Sequence, residues 1–277
     1  MKYIDDLIHW VKERDKIRVA RILGRAPPWT NDPVLANNRF CNVHREDDKV
    51  TKYIHDEWLP EDARHIHVPF ALCVARLVNW PDTLYLLKFP HKGWTKEYKD
   101  NWFDAFDFLR VKGQKAWTGA YMVTGGYSKG GETKETIIGR VLDGAWEATR
   151  GWVYGPPATL NEAAARLTVP GIGSFLAAQI VADLKSTPWL VDAPDYNTWC
   201  SPGPGSLMGL NFIWDRPRTH QMGMLQFQME VLQIQDIIHM RTGTYLCAQN
   251  TQNCLCELSK YVRAKYFNER LKNTHHA

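Results

Sequence analysis

The 277-residue sequence has no apolar run near the ~18 residues that a membrane-crossing helix needs, and even FALCVARLV is interrupted by Arg76. Its opening stretch, MKYIDDLIHWVKERDK, meets a charge every few residues, so the continuous apolar segment of a signal peptide is missing as well. A soluble protein with no membrane partner is expected. Internal repeats and low-complexity segments are absent, which excludes a solenoid or a biased, disordered chain. Cysteine is sparse. Three of the six, Cys247, Cys254 and Cys256, crowd into CAQNTQNCLC, but an iron–sulfur cluster needs four thiolates and the spacing fits no zinc signature. Reduced, packed thiols and no metal are expected there.

Hydrophobic residues make up 44% and charged residues 23%, ordinary values for a chain that buries a sizeable core. Net charge is only +4, unevenly placed: from Glu257 to Ala277 five basic residues face two acidic ones. A basic terminal helix suits a phosphate backbone, with Lys260 and Arg263 as candidate DNA contacts, and equally suits a solvated face. Apolar spacing predicts helices over 3–24, 46–58, 67–79, 97–110, 136–149, 160–185, 219–241 and 250–272. The stretch RAPPWTNDP breaks regular structure, 119–135 reads as a short β-like run before a glycine-rich loop, and 201–209 reads as a glycine- and proline-rich loop. The expected fold is mainly α, a single domain over 1–277 with long functional loops.

Within 160–185, Thr159 and Glu162 fit a capping box, and Ala163, Ala164 and Ala165 favour helix. Pro170 stops that helix, while Gly171 and Gly173 permit a tight turn into a second one carrying Leu176, Ile180, Val181 and Leu184 on one side. The product is a helix–hairpin–helix with backbone amides at the start of its second helix. Those amides suit a DNA phosphate, with Gly171, Gly173 and Ser174 as the contacts. A plain helical hairpin is the alternative.

This stretch resembles the helix–hairpin–helix DNA glycosylase superfamily, in which an aspartate follows the hairpin by some twenty residues. Asp192 stands nineteen residues past Gly173, with Asp195 close behind. Glycosylases that also cut the strand place a lysine just inside the second helix. Ser174-Phe175 stands there instead, so strand cleavage through a Schiff base is not expected.

Residues 28–58 decide between excision and another chemistry. They gather Asn37, Asn38, Arg39, Asn42, His44, Arg45, Glu46, Asp47, Asp48 and Lys49. Such a group fits either bidentate recognition of carboxylate or phosphate, or a salt-bridged helix cap. PWTNDPVL, NRFCNVHREDDKVT and LCELSKYVR resemble the signature blocks of the phage α-glutamyl/putrescinyl thymine pyrophosphorylases. The same blocks occur in helical domains associated with phage hydroxymethyluracil-DNA kinases.

The resemblance implies a glycosylase-like fold turned to synthesis. An amino acid, with glycine as first choice, would be joined through its amine to the 5-methylene of (pyro)phosphorylated 5-hydroxymethyluracil in duplex DNA, inside the cytoplasm of the infected bacterial host. In that reading Asp192 or Asp195 deprotonates the amine, Arg45, Lys129 or Lys134 stabilises the departing anion, and Arg39 holds the amino acid's carboxylate. Asn38 and Asp48 would bind substrate, and Tyr121, Trp117, Tyr127 or Trp199 would stack on the everted base. No cofactor is required; a divalent cation on Asp47 or Asp48 is compatible. The loop TGGYSKGGETK is not a Walker loop, because Glu132 stands where its lysine would be. In SPGPGSLMGLN, Gly203, Gly205 and Ser206 are candidates for a second backbone phosphate, with a simple turn as the alternative. Two other readings remain open: a monofunctional glycosylase using Asp192, and a non-enzymatic DNA-binding or kinase accessory domain.

Overall fold

The computed structural model describes residues 1–118 and 131–271. In chain order the helices are α1 (Ile4–Ile22), α2 (Pro33–Asn37), α3 (Lys49–Tyr53), α4 (Val68–Val78), α5 (Pro81–Leu87) and α6 (Lys96–Val111). After them come α7 (Lys134–Thr149), α8 (Leu160–Leu167), α9 (Ser174–Leu184), α10 (Pro204–Ile213), α11 (Met224–Thr242) and α12 (Ala248–Phe267). A 3₁₀ turn covers Arg45–Asp47 and a π turn covers Ile54–Trp58. Among the described residues there is no strand, only the isolated bridge between Val169 and Ile172. The mainly α expectation holds. The β-like run expected from 119 lies almost wholly outside the described residues.

The chain divides into two compact units, Met1–Asp48 with Asn197–Ala277, and Lys49–Tyr196. In the first, α10, α11 and α12 pack with α1 around Trp10, Phe227, Leu255, Leu258 and Tyr261. Helix α1 buries Leu7, Ile8, Trp10, Val11, Ile17 and Ala20, while Val19 and, just past its end, Leu23 are exposed. Asp32 organises the segment that follows. Its carboxylate caps α2 by accepting from the Val34 and Leu35 amides, and also accepts from Tyr261 Oη at 2.6 Å.

The largest departure from expectation is α10. Its residues look like a loop because they include Pro204, Gly205 and Gly209, yet these serve a helix packed closely on α12. A Cβ at Gly209 would overlap the Leu255 carbonyl, and one at Gly205 would overlap Cys256 Sγ. Small residues here permit close helix–helix approach. Helices α2 and α5, each opening with proline in its first turn, were not anticipated either.

In the second unit α4 is wholly buried, with α7 and α9 packed on it, and α8 packs on α9. Two of its buried groups are charged and lie far apart in sequence. Arg76 of α4 donates through Nε and Nη2 to the two carboxylate oxygens of Asp183 of α9. Its remaining donors reach Asn79 Oδ1 at 3.1 Å and Thr51 Oγ1 at 2.8 Å.

Candidate nucleic-acid interface and an arginine-lined cavity

The hairpin forms in the second unit. Thr159 Oγ1 accepts from the Glu162 amide at 3.0 Å, as a capping box requires. The Glu162 carboxylate, however, accepts from the Ala158 amide at 2.8 Å, one residue before the cap. Between α8 and α9, the Val169 and Ile172 amides each bond the other's carbonyl, which closes the turn. Gly171 adopts φ +90°, and a Cβ there would overlap Val141 Cγ2, so glycine is required both by conformation and by space. Gly173 has neither constraint; nothing lies within 4 Å of a Cβ built on it. It precedes α9 without a side-chain cap, and Gly173, Ser174 and Phe175 are all exposed. The backbone of this first turn therefore faces solvent with the positive end of a helix dipole behind it.

The two aspartates differ in their surroundings. Asp195 accepts from the Leu160 amide at 2.7 Å and the Asn161 amide at 3.0 Å, one oxygen each, so it caps α8 and braces the hairpin. Asp192 is exposed and has no hydrogen bond or ion pair among the described residues. Lys134 lies at the start of α7, with its ammonium 4.4 Å from the Trp117 ring, and burial lowers its pKa from the ordinary lysine value. Trp117 in turn stacks on Phe106 at 4.3 Å. Lys129, Tyr121 and Tyr127 lie outside the described residues.

The signature block of residues 38–48 belongs to the first unit, where it is folded on itself and on α12. The Asn42 amide and Nδ2 both donate to Asp48 Oδ1, and Asn42 Nδ2 also reaches the Asp47 carbonyl. From α12, Asn250 accepts from the Arg45 amide and donates to Glu46, Asn253 donates to the Asn42 carbonyl, and Glu257 accepts from the Cys41 amide. Arg45 is buried. Asn38 is occupied locally, its Nδ2 donating to the Val34 carbonyl at 2.9 Å. Arg39 stays exposed and lines a cavity of about 300 Å³ together with Arg14, Ile17, Arg21, Leu35, Asn38 and Phe40.

The remaining candidate DNA contacts are drawn inward. Ser206 is fully buried; its hydroxyl accepts from the Gly203 amide and from Gln252 Nε2 and donates to the Gly203 carbonyl. That uses its whole hydrogen-bonding capacity, and Gly205 faces Cys256, so a phosphate loop is replaced here by a helix start. Lys260 pairs with the buried Glu257 at 2.6 Å. Burial acts to lower its pKa, and the Glu257 charge and hydrogen bond, together with Cys41 and Cys256, outweigh that and raise it. Arg263 pairs with Glu269 at 2.6 Å. Trp199 is buried. The group that sequence reasoning missed is the one around Asp183, where His55 Nε2 also lies 3.7 Å from the carboxylate. Its trace in the sequence is a single charge inside each of two apolar helices.

The family described as "5-hmdU DNA kinase, helical domain" matches residues 1–270. The chain belongs to that family. It is also 25% identical over 226 residues to a 5-hmdU DNA kinase of Bacillus phage SP10, an alignment covering 73% of this chain and 35% of that kinase. The chain thus spans about a third of the curated relative it matches. No solved structure matches it. A phage family tied to hydroxymethyluracil modification was therefore legible in the sequence, but the expected amino acid transfer is overturned. Family and relative alike are named for a kinase of 5-hmdU, and the accessory-domain alternative fits them better. The catalytic roles assigned to Arg39, Arg45, Asp192 and Asp195 on behalf of an amino acid fall with that activity.

Proposed function

We propose that this chain is a DNA-holding helical domain serving the phosphorylation of 5-hmdU in phage DNA, in the cytoplasm of the infected host, and that phosphoryl transfer is performed by residues outside the stretch shared with the SP10 kinase. The observation that carries this reading is the family match across nearly the whole chain. Two features support the division of labour. Phosphoryl transfer from a nucleotide relies on a lysine and a metal-binding carboxylate or hydroxyl around the phosphates, and Glu132 stands at the Walker-lysine position of the glycine-rich loop. Meanwhile α9 opens on Gly173 without a side-chain cap, so its first turn offers what a duplex backbone needs, backbone amides and the positive end of a helix dipole. In this proposal the hairpin grips DNA as in helix–hairpin–helix glycosylases.

Fluorescence anisotropy with a short duplex containing 5-hmdU tests the reading. Gly173→Glu places a carboxylate where a phosphate would sit, in open space that accepts it without refolding. Binding should weaken by about tenfold or more while the circular dichroism spectrum stays unchanged. Equal affinity in the variant would remove the hairpin from the interface, and absence of duplex binding by the unaltered protein would remove the DNA-holding role.

A further inference from the structure

The cavity in the first unit gathers arginines that make no ion pair among the described residues. Arg18, Arg216, Arg218, Arg241 and Arg263 each have a carboxylate within 3.4 Å. Arg14, Arg21 and Arg39, which converge on the cavity, have none among the described residues. Arg14 is the telling one. It is 6% exposed, its Nη2 donates to Asn42 Oδ1 at 2.9 Å and more distantly to the Phe40 carbonyl, and its Nη1 is buried with no hydrogen-bond partner among the described residues. A buried guanidinium nitrogen left without an acceptor is expensive, and a ligand oxygen is the natural remedy.

The neighbours are arranged consistently. Arg21 stacks its guanidinium 4.4 Å from the Trp29 ring, which fixes its plane while leaving its donors available. Asn38, its amide engaged with the Val34 carbonyl, also lines the cavity, and Ile17, Leu35 and Phe40 form an apolar wall. Asp48 and Glu257, the acids whose field reaches Arg14, are already engaged, Asp48 by Asn42 and Glu257 by Lys260 and the Cys41 amide. Burial, followed by the Arg21 charge, lowers the Arg14 pKa from the ordinary arginine value. At about 300 Å³ the cavity stands at the lower end of the ~300–1,000 Å³ typical of small-molecule sites.

We infer that this cavity is a binding site for a phosphate ester, with its dianionic or anionic head held by Arg14, Arg21 and Arg39 and its carbon skeleton laid against Ile17, Leu35 and Phe40. Planar guanidinium groups suit the tetrahedral oxygens of phosphate, and the apolar wall suits an organic phosphate better than the bare ion. Two sources share this chemistry: a phosphomethyl group on a DNA base, and a phosphodiester of the DNA backbone. The site lies wholly in the first unit and does not use the hairpin, so it stands or falls separately from the proposed function.

Isothermal titration calorimetry on the intact protein tests it with three probes: 5-phosphomethyl-2′-deoxyuridine, an unmodified short duplex, and inorganic phosphate. Arg39→Gln and Arg21→Gln are the informative variants, because both side chains are partly or fully accessible; Arg18→Gln, on the same helix but paired with Asp15, is the control. The phosphomethyl nucleoside should bind saturably, and each informative variant should weaken it by about tenfold or more, with the control unchanged. If the duplex alone shows this arginine dependence, the ester is a backbone phosphodiester. Arginine-dependent binding of inorganic phosphate as tight as that of the esters would overturn the apolar-wall assignment. Failure of all three probes to bind at millimolar concentration, or binding indifferent to Arg21→Gln and Arg39→Gln, would overturn the site.

Discussion

Replacing Arg76 by Met takes from the Asp183 carboxylate, inside the second unit, the guanidinium that meets both of its oxygens. Asp183 is 0% exposed, and it receives both Nε and Nη2 of a guanidinium that is itself 2% exposed. Removing one member of such a buried pair costs about 3–5 kcal/mol, because the surviving charge keeps its desolvation penalty and loses its compensation. Against a net stability of about 5–15 kcal/mol that is a large fraction. At about 2–4 °C per kcal/mol for domains of ~150–250 residues, the melting temperature should fall by about 10 °C. The double variant Arg76→Met with Asp183→Leu removes both charges and leaves Thr51 and Asn79 to rearrange, so it should be more stable than Arg76→Met alone. Urea denaturation of all four members of the cycle should yield a coupling of about 2–3 kcal/mol. Arg76→Met within about 1 kcal/mol of the parent, or strict additivity in the cycle, would refute the claim that this pair fixes α4 against α9.

The hairpin glycines should respond oppositely to the same change. Gly171→Ala meets a left-handed backbone and the Val141 side chain, and should lose about 2–4 kcal/mol in chemical denaturation, whereas Gly173→Ala should stay within about 0.5 kcal/mol. A pH effect should arise at Asp32. Burial acts to raise that carboxyl, and hydrogen bonds from Tyr261, the Leu35 amide, His9 and the Val34 amide outweigh it and hold the pKa below the ordinary aspartate value. The folded-state pKa being the lower one, this contribution is complete above the unfolded value of about 3.9 and is lost as pH falls below it. Asp32→Asn should flatten the stability profile in that acidic range, as followed by thermal melts between pH 2 and pH 6 (about the useful range for a carboxylate).

Helices α1, α6, α7, α8, α11 and α12 were readable because burial is periodic in sequence, and α4 and α9 because they are apolar nearly throughout; all sit where the sequence pattern puts them, with ends shifted by a few residues. Helix α10 escaped because glycine signals a turn when read alone and close packing when α12 lies against it; only Leu255 and Cys256, some fifty residues on, reveal which. The same distance hid the Arg76–Asp183 pair, whose members are separated by 107 positions. Residues 38–48 were readable as a polar cluster but not as one turned inward on Asn250, Asn253 and Glu257. Arg14 and Arg21, two helical turns apart, could be placed on one face of α1, yet their convergence with Arg39 depends on the path of residues 38–40 after α2. Chemistry was the least legible layer. The signature blocks pointed to a phage family tied to hydroxymethyluracil modification more securely than to the step performed.

A transfer assay separates DNA holding from phosphoryl transfer. Nucleoside triphosphate labelled at its γ-phosphate, magnesium and a duplex containing 5-hmdU are incubated with this chain alone and, separately, with a complete 5-hmdU DNA kinase, and label in the DNA is counted. The DNA-holding role predicts saturable duplex binding by this chain but no label transferred by it, while the complete kinase labels the same duplex. Label transferred by this chain alone would contradict the account.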